Sequence, residues 1–554
     1  MSASVLEKRT FTDIFEEIRS TYLNDDRPWI IGFSGGKDST CLVQLVWKAL
    51  SELPPEKLQK EIYVISSDTL VEAPQIAERI TNSLENMEKF AKKANLPIGT
   101  NLLRPPISDT FWVRLLGLGY PAPTIMFRWC TDMLKISNAD RFIKDTVSKH
   151  GEAIVLLGMR KSESKVRDQV MNLYKIENSV LSKHSKFDQT YVYTPLEDFS
   201  AEDVWNYLLE NENPWGDENR DLLAMYQDAN ASECPLVIDT TTPSCGGGRF
   251  GCWTCTVVDK QSYLTNLIEN DEKNEWMEVL AELRQKLKDT QDSSVWEKYR
   301  ERKRRSGRID LKTHDEIKCQ NKVLDPDKKN GLPKKTCDFK NSFTFINCEK
   351  CLKLLFIKCK KCNKKTHPSL DKCNYCSEPL IKHTPGPYKM EFRIQYLRDL
   401  LVGQMKIQKL KNDPDVELIL EDEIHEIQRI WRMEQGDWKN TAYAIYAEIT
   451  GKNLNQIQNE LGNFNEKEQE LLEETCSTHK IPFKLVSNLL NLELKSQGGN
   501  RHSKIFEKIK SELSKEWRDV DNKEEFDKII IELQKKKNIT DKMKILEVDE
   551  NQGA

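Results

Sequence analysis

The spacing of apolar residues divides the chain into an N-terminal part that alternates between strand and helix patterns and a later part that is mainly helical. Within the first 260 residues, short apolar runs predict strands at residues 29–33, 62–66, 154–158 and 191–194. Helix-period patterns lie between them, as at residues 74–94 and 139–149. The alternation predicts an α/β fold with a doubly wound, mostly parallel sheet.

Three further segments follow this α/β domain of residues 1–260. Residues 261–310 have the pattern of a charged helix, and residues 311–385 are rich in lysine and cysteine. Residues 386–554 return to helical spacing, with apolar stripes such as Tyr396, Leu397, Leu400 and Leu401. We therefore expect a Cys-rich insert between a charged helical segment and a helical C-terminal region.

The first predicted strand leads into a glycine-rich loop, and a helix pattern follows at once. This loop consists of Ser34, Gly35, Gly36, Lys37, Asp38 and Ser39. A turn of this kind at a helix N-terminus binds anions, because backbone N–H groups and the helix dipole both point at the ligand. The glycines allow close approach of a phosphate, and the lysine adds a positive charge. The spacing differs from that of the Walker P-loop.

Two polar residues follow other predicted strands. Asp68 comes after the second strand and Arg160 after the third. Ligands of open parallel sheets bind beyond the carboxyl ends of the strands. We therefore expect the loop of residues 34–39, Asp68 and Arg160 to share one site.

Composition restricts the class of protein. The 554 residues are 38% hydrophobic and 31% charged, with a formal net charge of −4, so any affinity for nucleic acid must be local. No apolar run is long enough to span a bilayer, and the N-terminus lacks the apolar core of a signal peptide. We expect a cytoplasmic protein without a membrane partner. Its 15 cysteines are then expected to be reduced and to serve metal or redox chemistry.

A first cysteine group follows the predicted sheet. Its members are Cys234, Cys245, Cys252 and Cys255, with Cys130 as a fifth candidate. Four thiolates can hold an iron–sulfur cluster, and zinc accepts the same donor set. Cys130 stands between basic residues, which favour a reactive thiolate. It is either a cluster ligand or a sulfur relay.

A second cysteine group lies in the lysine-rich insert. Two CxxC pairs have the spacing of a zinc ribbon: Cys359, Cys362, Cys373 and Cys376. Zinc would stabilise a segment that has little core of its own. The ion is either purely structural or part of a DNA-contacting module. Basic residues 298–308 are either a second DNA contact or a solvated helix face.

The loop of residues 34–39 resembles the PP-loop of ATP pyrophosphatases. With residues 128–135 and 158–167, the chain is similar to the phosphoadenosine phosphosulfate reductase superfamily. Matching positions of two further family segments are Gly158, Arg160, Glu163, Ser164, Pro195, Leu196 and Trp205. The resemblance implies an adenine nucleotide alpha hydrolase-like fold and cleavage of ATP to AMP and pyrophosphate.

The resemblance also implies roles for individual residues. The loop of residues 34–39 and Gly158 would bind the nucleotide, Arg160 and Arg167 would bind phosphate, and Asp38 and Asp68 would hold Mg²⁺ or position ATP. The residues expected to carry catalysis are Lys37, Asp38, Cys130 and Arg160. The expected cofactors are ATP, Mg²⁺ and a 4Fe–4S cluster, with Zn²⁺ in the insert.

The cysteine run and the segment at residues 386–397 narrow the resemblance to the DndC family, the sulfurtransferase-like proteins of DNA phosphorothioation systems. This family implies ATP-dependent activation of a DNA backbone phosphate and replacement of a non-bridging oxygen by sulfur, a DNA modification of the restriction–modification type. Implied partners are DNA, a cysteine desulfurase and other proteins of the system. Alternatives are a tRNA thiolase with a PP-loop and cluster, a phosphoadenosine phosphosulfate or adenylylsulfate reductase, and a non-catalytic nucleotide sensor or scaffold.

Overall fold

The computed structural model describes residues 9–229, 251–259, 262–270, 272–292, 295–312, 382–454, 466–494 and 503–533, with short pieces between residues 316 and 376. Helices are α1 Phe11–Leu23, α2 Lys37–Ser51, α3 Pro74–Lys93, α4 Trp129–Thr131, α5 Ser137–His150, α6 Lys165–Leu173, α7 Ala201–Glu210, α8 Asn219–Ala229, α9 Ser262–Asn270, α10 Glu278–Asp289, α11 Trp296–Tyr299, α12 Met390–Lys411, α13 Glu421–Gln435, α14 Thr441–Thr450, α15 Glu466–Thr478, α16 Phe483–Leu494 and α17 Ser503–Leu513. A further helix covers residues 523–533. Turns of 3-10 helix cover Pro55–Lys57, Ile107–Asp109, Lys161–Glu163 and Glu272–Met277, and π-helical turns cover Val113–Gly117 and Asp132–Ile136.

A six-stranded sheet forms the centre of the N-terminal part. Its strands are β1 Trp29–Gly32, β2 Ile62–Ser67, β3 Ile98–Leu103, β4 Ala153–Leu156, β5 Leu181–Lys183 and β6 Thr190–Tyr193. The spatial order is β3-β2-β1-β4-β6-β5. All neighbours pair in parallel except β5 and β6. The predicted mostly parallel α/β sheet is thus confirmed.

Both faces of this sheet are covered, as parallel strands require. In β1, Trp29 and Ile31 pack into one core with α1, α2 and α3, whereas Ile30 packs into the core on the opposite face with Ile143 of α5. Alternate residues of a strand point to opposite faces. The apolar runs seen in the sequence are therefore strands buried on both sides.

Each predicted strand and helix of this domain is present, with ends shifted by one or two residues. The edge strands β3 and β5 were not predicted. The predicted charged helix of residues 261–310 is wrong for its last part, because the structure has no helix in residues 300–310. Before that point the segment is broken into α9, a 3-10 turn, α10 and α11.

The chain divides into two compact units. Unit 1 comprises Met1–Asp292, Met390–Arg432 and Asn440–Asn459, and unit 2 comprises Ser293–Lys389, Met433–Lys439 and Glu460–Ala554. Each is made of segments that are distant in the sequence. The domain boundaries drawn from composition remain predictions.

Buried hydrogen bonds fix the C-terminal helices of unit 1 to the π-helical turn Val113–Gly117. The Arg393 guanidinium donates to the Gly117 carbonyl at 2.9 Å, and the Trp431 indole donates to the Leu116 carbonyl at 2.8 Å. Both donors are almost fully buried. Side chains of α12 and α13 therefore satisfy carbonyls at the end of this turn, which lies upstream of Cys130.

In unit 2, the segment before the insert pairs with the segment after it. Arg300 forms an antiparallel bridge with Tyr388, and Gly386 donates its N–H to the Glu301 carbonyl at 2.7 Å. A Cβ atom at Gly386 would lie 1.7 Å from the Lys303 carbonyl oxygen. Glycine is required there because the two backbones touch. The segment at residues 386–388, first noted for its resemblance, thus has a packing role.

The basic residues 298–308 are largely tied to unit 2 itself. Arg302 donates to the Val520 carbonyl at 2.7 Å, and Arg305 forms a bidentate pair with Glu434 at 3.0 and 2.8 Å. The solvated helix face proposed for this run is wrong beyond residue 299, because the backbone there is not helical. Its role in DNA contact stays a prediction.

The described pieces of the insert are short antiparallel pairs. These strands are β7 Leu311–Lys312, β8 Glu316–Lys318, β9 Lys322–Val323, β10 Lys335–Thr336, β11 Lys340–Ser342, β12 Ile357–Lys358, β13 Lys365–Thr366 and β14 Lys382–His383. They pair as β7 with β14, β8 with β11, β9 with β10, and β12 with β13. In the portion of the chain with assigned structure, no helix is long and apolar enough to cross a membrane.

Candidate active site

The loop between β1 and α2 closes on itself through its serine hydroxyls. Ser39 Oγ accepts the Ser34 N–H at 3.2 Å and donates to the Gly36 carbonyl at 3.0 Å. Gly35 has a φ of +70°, a left-handed conformation that favours glycine. Gly36 precedes the first helical residue and provides no side-chain cap. The loop thus places the uncapped N-terminus of α2 beyond the carboxyl end of β1. This is the geometry of an anion-binding site.

Three buried charges lie directly behind this loop. Lys37 Nζ contacts Asp38 Oδ2 at 2.9 Å, and Arg160 Nε donates to Asp38 Oδ1 at 2.6 Å. The residues are only 4%, 1% and 1% exposed in the order Lys37, Asp38, Arg160. Two cations against one carboxylate leave a net positive charge beside the helix N-terminus. This charge favours a phosphate ligand.

Arg160 is held by its own strand–helix connection. Its guanidinium donates to Ser162 Oγ at 2.9 Å, and its backbone N–H donates to Glu163 Oε1 at 3.1 Å. Gly158 makes this approach possible, because a Cβ there would lie 2.8 Å from the Asp38 carbonyl oxygen. The structure thus places Gly158 and Arg160 against the loop, and a role of either in binding the nucleotide stays a prediction.

Arg167 is connected to Arg160 through Glu163. It forms an ion pair with Glu163, and its backbone N–H donates to Ser164 Oγ at 3.1 Å at the start of α6. Glu163 therefore contacts both the backbone N–H of Arg160 and the side chain of Arg167. Phosphate binding by Arg167 stays a prediction.

Asp68 stands at the carboxyl end of β2. Its carboxylate accepts the Leu70 N–H at 2.9 Å and the Arg104 Nε–H at 2.9 Å. Leu70 has a φ of +61°, an uncommon conformation that this hydrogen bond helps to hold. Asp38 and Asp68 are thus each paired with arginine, and a magnesium-binding role for either stays a prediction.

A cleft opens beyond the ends of β1 and β2. Its lining includes Ser34, Ser67, Glu72, Ile76, Lys135 and Gly251. Lys135 Nζ lies 3.3 Å from Glu72 Oε1, and burial raises the pKa of Glu72 although Lys135 opposes this shift. Neither Glu72 nor Lys135 was predicted from the sequence as a site residue. Glu72 lies four positions after Asp68 in the sequence, and this spacing does not by itself indicate a functional residue.

The segment of residues 251–255, here called the cysteine loop, borders this cleft through Gly251. Glu72 and Cys252 form an antiparallel bridge, and Ala73 donates its N–H to the Gly251 carbonyl at 3.2 Å. The Thr69 hydroxyl lies 3.4 Å from Cys252 Sγ. The loop of residues 34–39 and the backbone immediately before Cys252 therefore border one cleft, through Ser34 and Gly251, although 213 positions separate Ser39 from Cys252 (252 minus 39).

Buried polar contacts fix the cysteine loop from behind. Cys255 donates its N–H to the Cys252 carbonyl at 3.1 Å, which closes the CxxC turn. Arg284 of α10 donates to the Cys255 carbonyl at 2.7 Å and the Val258 carbonyl at 2.6 Å. Burial raises the pKa of the Cys252 thiol to about 11, although the Lys135 charge opposes this shift.

Cys130 lies on the short helix α4 and is partly exposed. The segment that carries it meets the cysteine-loop region on both sides. Upstream, the Pro123 carbonyl accepts the Thr256 hydroxyl at 2.8 Å. Downstream, Lys135 contacts Glu72, the backbone partner of Cys252. The segment that carries Cys130 thus packs next to the cysteine loop within unit 1.

The predicted metal sites are only partly within the described residues. Cys234, Cys245, Cys359 and Cys373 lie outside them, whereas Cys362 and Cys376 lie within. In the part that the structure describes, no group of three or more His, Cys, Asp or Glu side chains is arranged to hold a metal ion. Two thiols in one CxxC turn are half of a four-thiolate donor set. The cluster and the zinc ribbon stay predictions.

Tyr226 of α8 is a further residue that the sequence analysis missed. Its hydroxyl accepts the backbone N–H of Lys37 at 3.2 Å, and Lys37 Nζ lies 5.3 Å from the centre of its ring. Only the fold brings it to the loop, because a single tyrosine in a helix pattern carries no functional signal.

Comparison with known proteins finds similarity in the region that holds this site. Residues 28–257 match the family model of the phosphoadenosine phosphosulfate reductase domain. The matched range begins one residue before β1 and ends two residues after Cys255 (257 minus 255). It therefore contains the phosphate loop, the cleft and the cysteine loop.

A protein of Methanocaldococcus jannaschii, described as uncharacterised, is 27% identical over 198 residues, which make up 36% of this chain and 35% of that protein. The match thus spans about a third of the length of this relative. A phosphoadenylyl-sulfate reductase of Candida auris in a phosphate complex aligns with 40% of this chain and 87% of its own, at 16% identity and a TM-score of 0.26. A U34-tRNA thiolase of Methanococcus maripaludis with its 4Fe–4S cluster aligns with 40% of this chain and 73% of its own, at 14% identity and a TM-score of 0.24.

Proposed function

We propose that the protein is an ATP pyrophosphatase that activates a DNA backbone phosphate for sulfur insertion. The proposal starts from the match of residues 28–257 to the phosphoadenosine phosphosulfate reductase domain. One observation carries the proposal: the cysteine loop lies along the cleft that begins at the phosphate loop. Ser34 and Gly251 line the same cleft, and Cys252 follows Gly251 directly. A nucleotide in this cleft would lie against the backbone that leads into the CxxC turn of Cys252 and Cys255. The choice of DNA rests on the sequence resemblance to the DndC family.

The first step uses the phosphate loop. A non-bridging phosphate oxygen of DNA attacks the α-phosphorus of ATP, the bond between the α-phosphorus and the bridging oxygen breaks, and pyrophosphate leaves. Such chemistry depends mainly on positioning and charge stabilisation. The helix N-terminus of α2, Lys37 and Arg160 supply positive charge at this place. Mg²⁺ commonly bridges phosphate oxygens and one or two carboxylates, and Asp68 is the partly accessible carboxylate at this edge.

The second step replaces oxygen by sulfur. A hydrosulfide-level sulfur attacks the activated phosphorus, and AMP leaves with the former non-bridging oxygen, so no electrons are exchanged. A sulfur delivered as a persulfide leaves a disulfide instead, which an external dithiol must reduce. A cysteine desulfurase would supply the sulfur, and Cys130, Cys252 and Cys255 are the described candidates to receive it. The predicted 4Fe–4S cluster would add an iron site that can hold sulfur.

The test compares cells that carry wild-type protein, Lys37→Ala or Lys48→Ala, with the neighbouring genes intact. Lys48 lies on the same helix as Lys37, but its side chain is 59% exposed and pairs only weakly with Glu52 at 3.7 Å. Purified proteins are assayed for pyrophosphate release, and thermal unfolding checks that each variant is folded. We expect Lys37→Ala to abolish pyrophosphate release and Lys48→Ala to retain it. Unchanged release with Lys37→Ala would refute the assignment of the phosphate loop.

Mass spectrometry of digested DNA and tRNA from the same cells identifies the substrate. Sulfur-containing dinucleotides in DNA with wild type and Lys48→Ala, but not with Lys37→Ala, are the expected result. Loss of a tRNA thionucleoside with unmodified DNA would instead establish a tRNA thiolase. If neither nucleic acid changes, sulfite release from a nucleotide sulfate tests the reductase alternative.

A further inference from the structure

We infer that the Tyr226 hydroxyl occupies a phosphate position at the N-terminus of α2, and that a bound nucleotide displaces it. The inference rests on the proposal that this loop binds a nucleoside triphosphate. Tyr226 thereby becomes a positioning residue that sets nucleotide affinity.

The main observation is a hydrogen bond from the backbone N–H of Lys37 to the Tyr226 hydroxyl. Lys37 is the first residue of α2, and its N–H donates to Tyr226 Oη at 3.2 Å. N–H groups of the first helical turn have no partner within the helix, and they are the groups that bind anions. Gly36 provides no cap, so an oxygen from elsewhere must meet this donor. In the present structure the tyrosine hydroxyl is that oxygen.

The tyrosine also contacts the lysine side chain. Its ring lies 5.3 Å from Lys37 Nζ, within the range of a cation–π contact, and the ammonium group also pairs with Asp38. A phosphate oxygen carries full negative charge and accepts stronger hydrogen bonds than a neutral hydroxyl. A nucleotide phosphate therefore competes with Tyr226 for the N–H of Lys37.

Tyr226 lies on helix α8, which precedes the candidate cluster segment in the sequence. Its ring packs against Trp205 of α7 at a centroid distance of 5.2 Å, and 9% of the residue is exposed. Helix α8 ends at Ala229, five positions before Cys234 in the sequence (234 minus 229). The contact thus lies on the helix that leads into the candidate cluster segment.

The hydroxyl stabilises only the nucleotide-free state if a phosphate replaces it. Its removal then raises the free energy of that state alone, and nucleotide affinity increases by the same factor. A single hydrogen bond of this kind corresponds to an affinity gain of roughly three- to tenfold. Loss of a purely structural contact would destabilise both states equally and leave affinity unchanged.

The experiment uses the full-length protein and two Tyr→Phe variants. Tyr226→Phe keeps the ring over Lys37 and removes the hydroxyl. Tyr22→Phe is the matched control, because its buried hydroxyl accepts the backbone N–H of Lys60 at 3.1 Å away from the loop. The probe is α,β-methylene-ATP, which cannot be split between its α and β phosphates. Titration calorimetry gives its Kd, and Tm is measured with and without the probe.

We expect Tyr226→Phe to bind the probe about three- to tenfold more tightly, with a lowered Tm only in the absence of probe. Tyr22→Phe should lower Tm in both states and leave Kd unchanged. An unchanged or weaker affinity of Tyr226→Phe, with Tm lowered in both states, would overturn the inference while the proposed function stands. Failure of the wild-type protein to bind the probe would overturn both.

Discussion

At the scale of single residues, the site depends on one buried carboxylate. Asp38 contacts both Lys37 and Arg160, which come from different strand–helix connections. The sequence analysis assigned it to magnesium or ATP, but its contacts point first to a positioning role. A carboxylate that joins two cations keeps both at the helix N-terminus, where their charge favours phosphate.

Replacement of Asp38 by asparagine should therefore destabilise the fold as well as the site. Lys37 and Arg160 would remain buried without their counter-charge, and an uncompensated buried charge costs about 3 kcal/mol. Urea unfolding of Asp38→Asn should show this loss. The control Asp198→Asn removes an exposed partner of Lys161, and its unfolding free energy should change by less than about 1 kcal/mol. Equal stability of the two variants would contradict the positioning role.

Gly158 allows the segment after β4 to approach the loop closely. A Cβ at this position would lie 2.8 Å from the Asp38 carbonyl oxygen, whereas a Cβ at Gly99 meets nothing within 4 Å. We expect Gly158→Ala to push the β4 connection from the loop and to weaken nucleotide binding by about tenfold, a loss of about 1.4 kcal/mol. Gly99→Ala should bind nucleotide as the wild type does. Calorimetric titration of both variants decides the matter, and equal affinities would show that the backbone contact is unimportant.

At the scale of elements, the start of α13 contains another buried carboxylate. Glu423 is 1% exposed, and its Oε2 accepts the Leu420 N–H at 2.9 Å. Burial raises its pKa to about 7, although the hydrogen bond from the Leu420 backbone opposes this shift. Helix α13 therefore begins with a group that must lose its proton within the neutral pH range.

This shift predicts a pH-dependent stability. Between the unfolded pKa of 4.5 and the folded pKa of about 7, the folded state binds more protons, so stability falls as pH rises through this window. At higher pH the full loss is up to about 3 kcal/mol. Glu423→Gln keeps an oxygen acceptor without the charge, so it should remove this dependence and stabilise the protein above pH 7. The control Glu448→Gln, at an exposed pair with Arg398, should keep the wild-type profile in urea unfolding.

Elements buried on both faces were the easiest to predict. The runs that form β1 and β4 are fully buried, so their apolar character is continuous. Strand β3 was missed because it lies at the sheet edge, where only Ile98 is buried and Gly99, Thr100 and Asn101 interrupt the pattern. Edge strands need less apolar surface, and their sequence signal is correspondingly weak.

At the scale of the whole molecule, charge is distributed unevenly. The net charge of −4 provides no general attraction to nucleic acid. The arginines at 302 and 305 already contact a carbonyl and a carboxylate within unit 2. The lysine-rich insert is therefore the stronger candidate for contact with DNA phosphates.

Salt dependence of binding distinguishes these two regions. If a DNA duplex is the substrate, Lys360→Ala with Lys361→Ala should reduce the slope of log K against log salt concentration by about 1 to 2, since each phosphate contact contributes about 0.9. Arg305→Ala should leave the slope unchanged, because its guanidinium is paired with Glu434. Fluorescence anisotropy at several salt concentrations measures both slopes. A larger effect from Arg305→Ala would assign the DNA contact to unit 2 instead.

The sequence by itself determined the α/β class, the position of the glycine-rich loop at residues 34–39 and the cysteines that are candidate ligands. Apolar periodicity and short motifs are local properties of the chain, so they can be recognised without the fold. Only the tertiary structure decided that Asp38 of α2 contacts Arg160, which follows β4, and that Gly251, next to Cys252, lines the cleft at the end of the sheet. It also decided that Tyr226 contacts the N–H of Lys37. These contacts connect residues from different elements, and their partners are chosen by how helices pack on the sheet. No local pattern in the sequence records that choice.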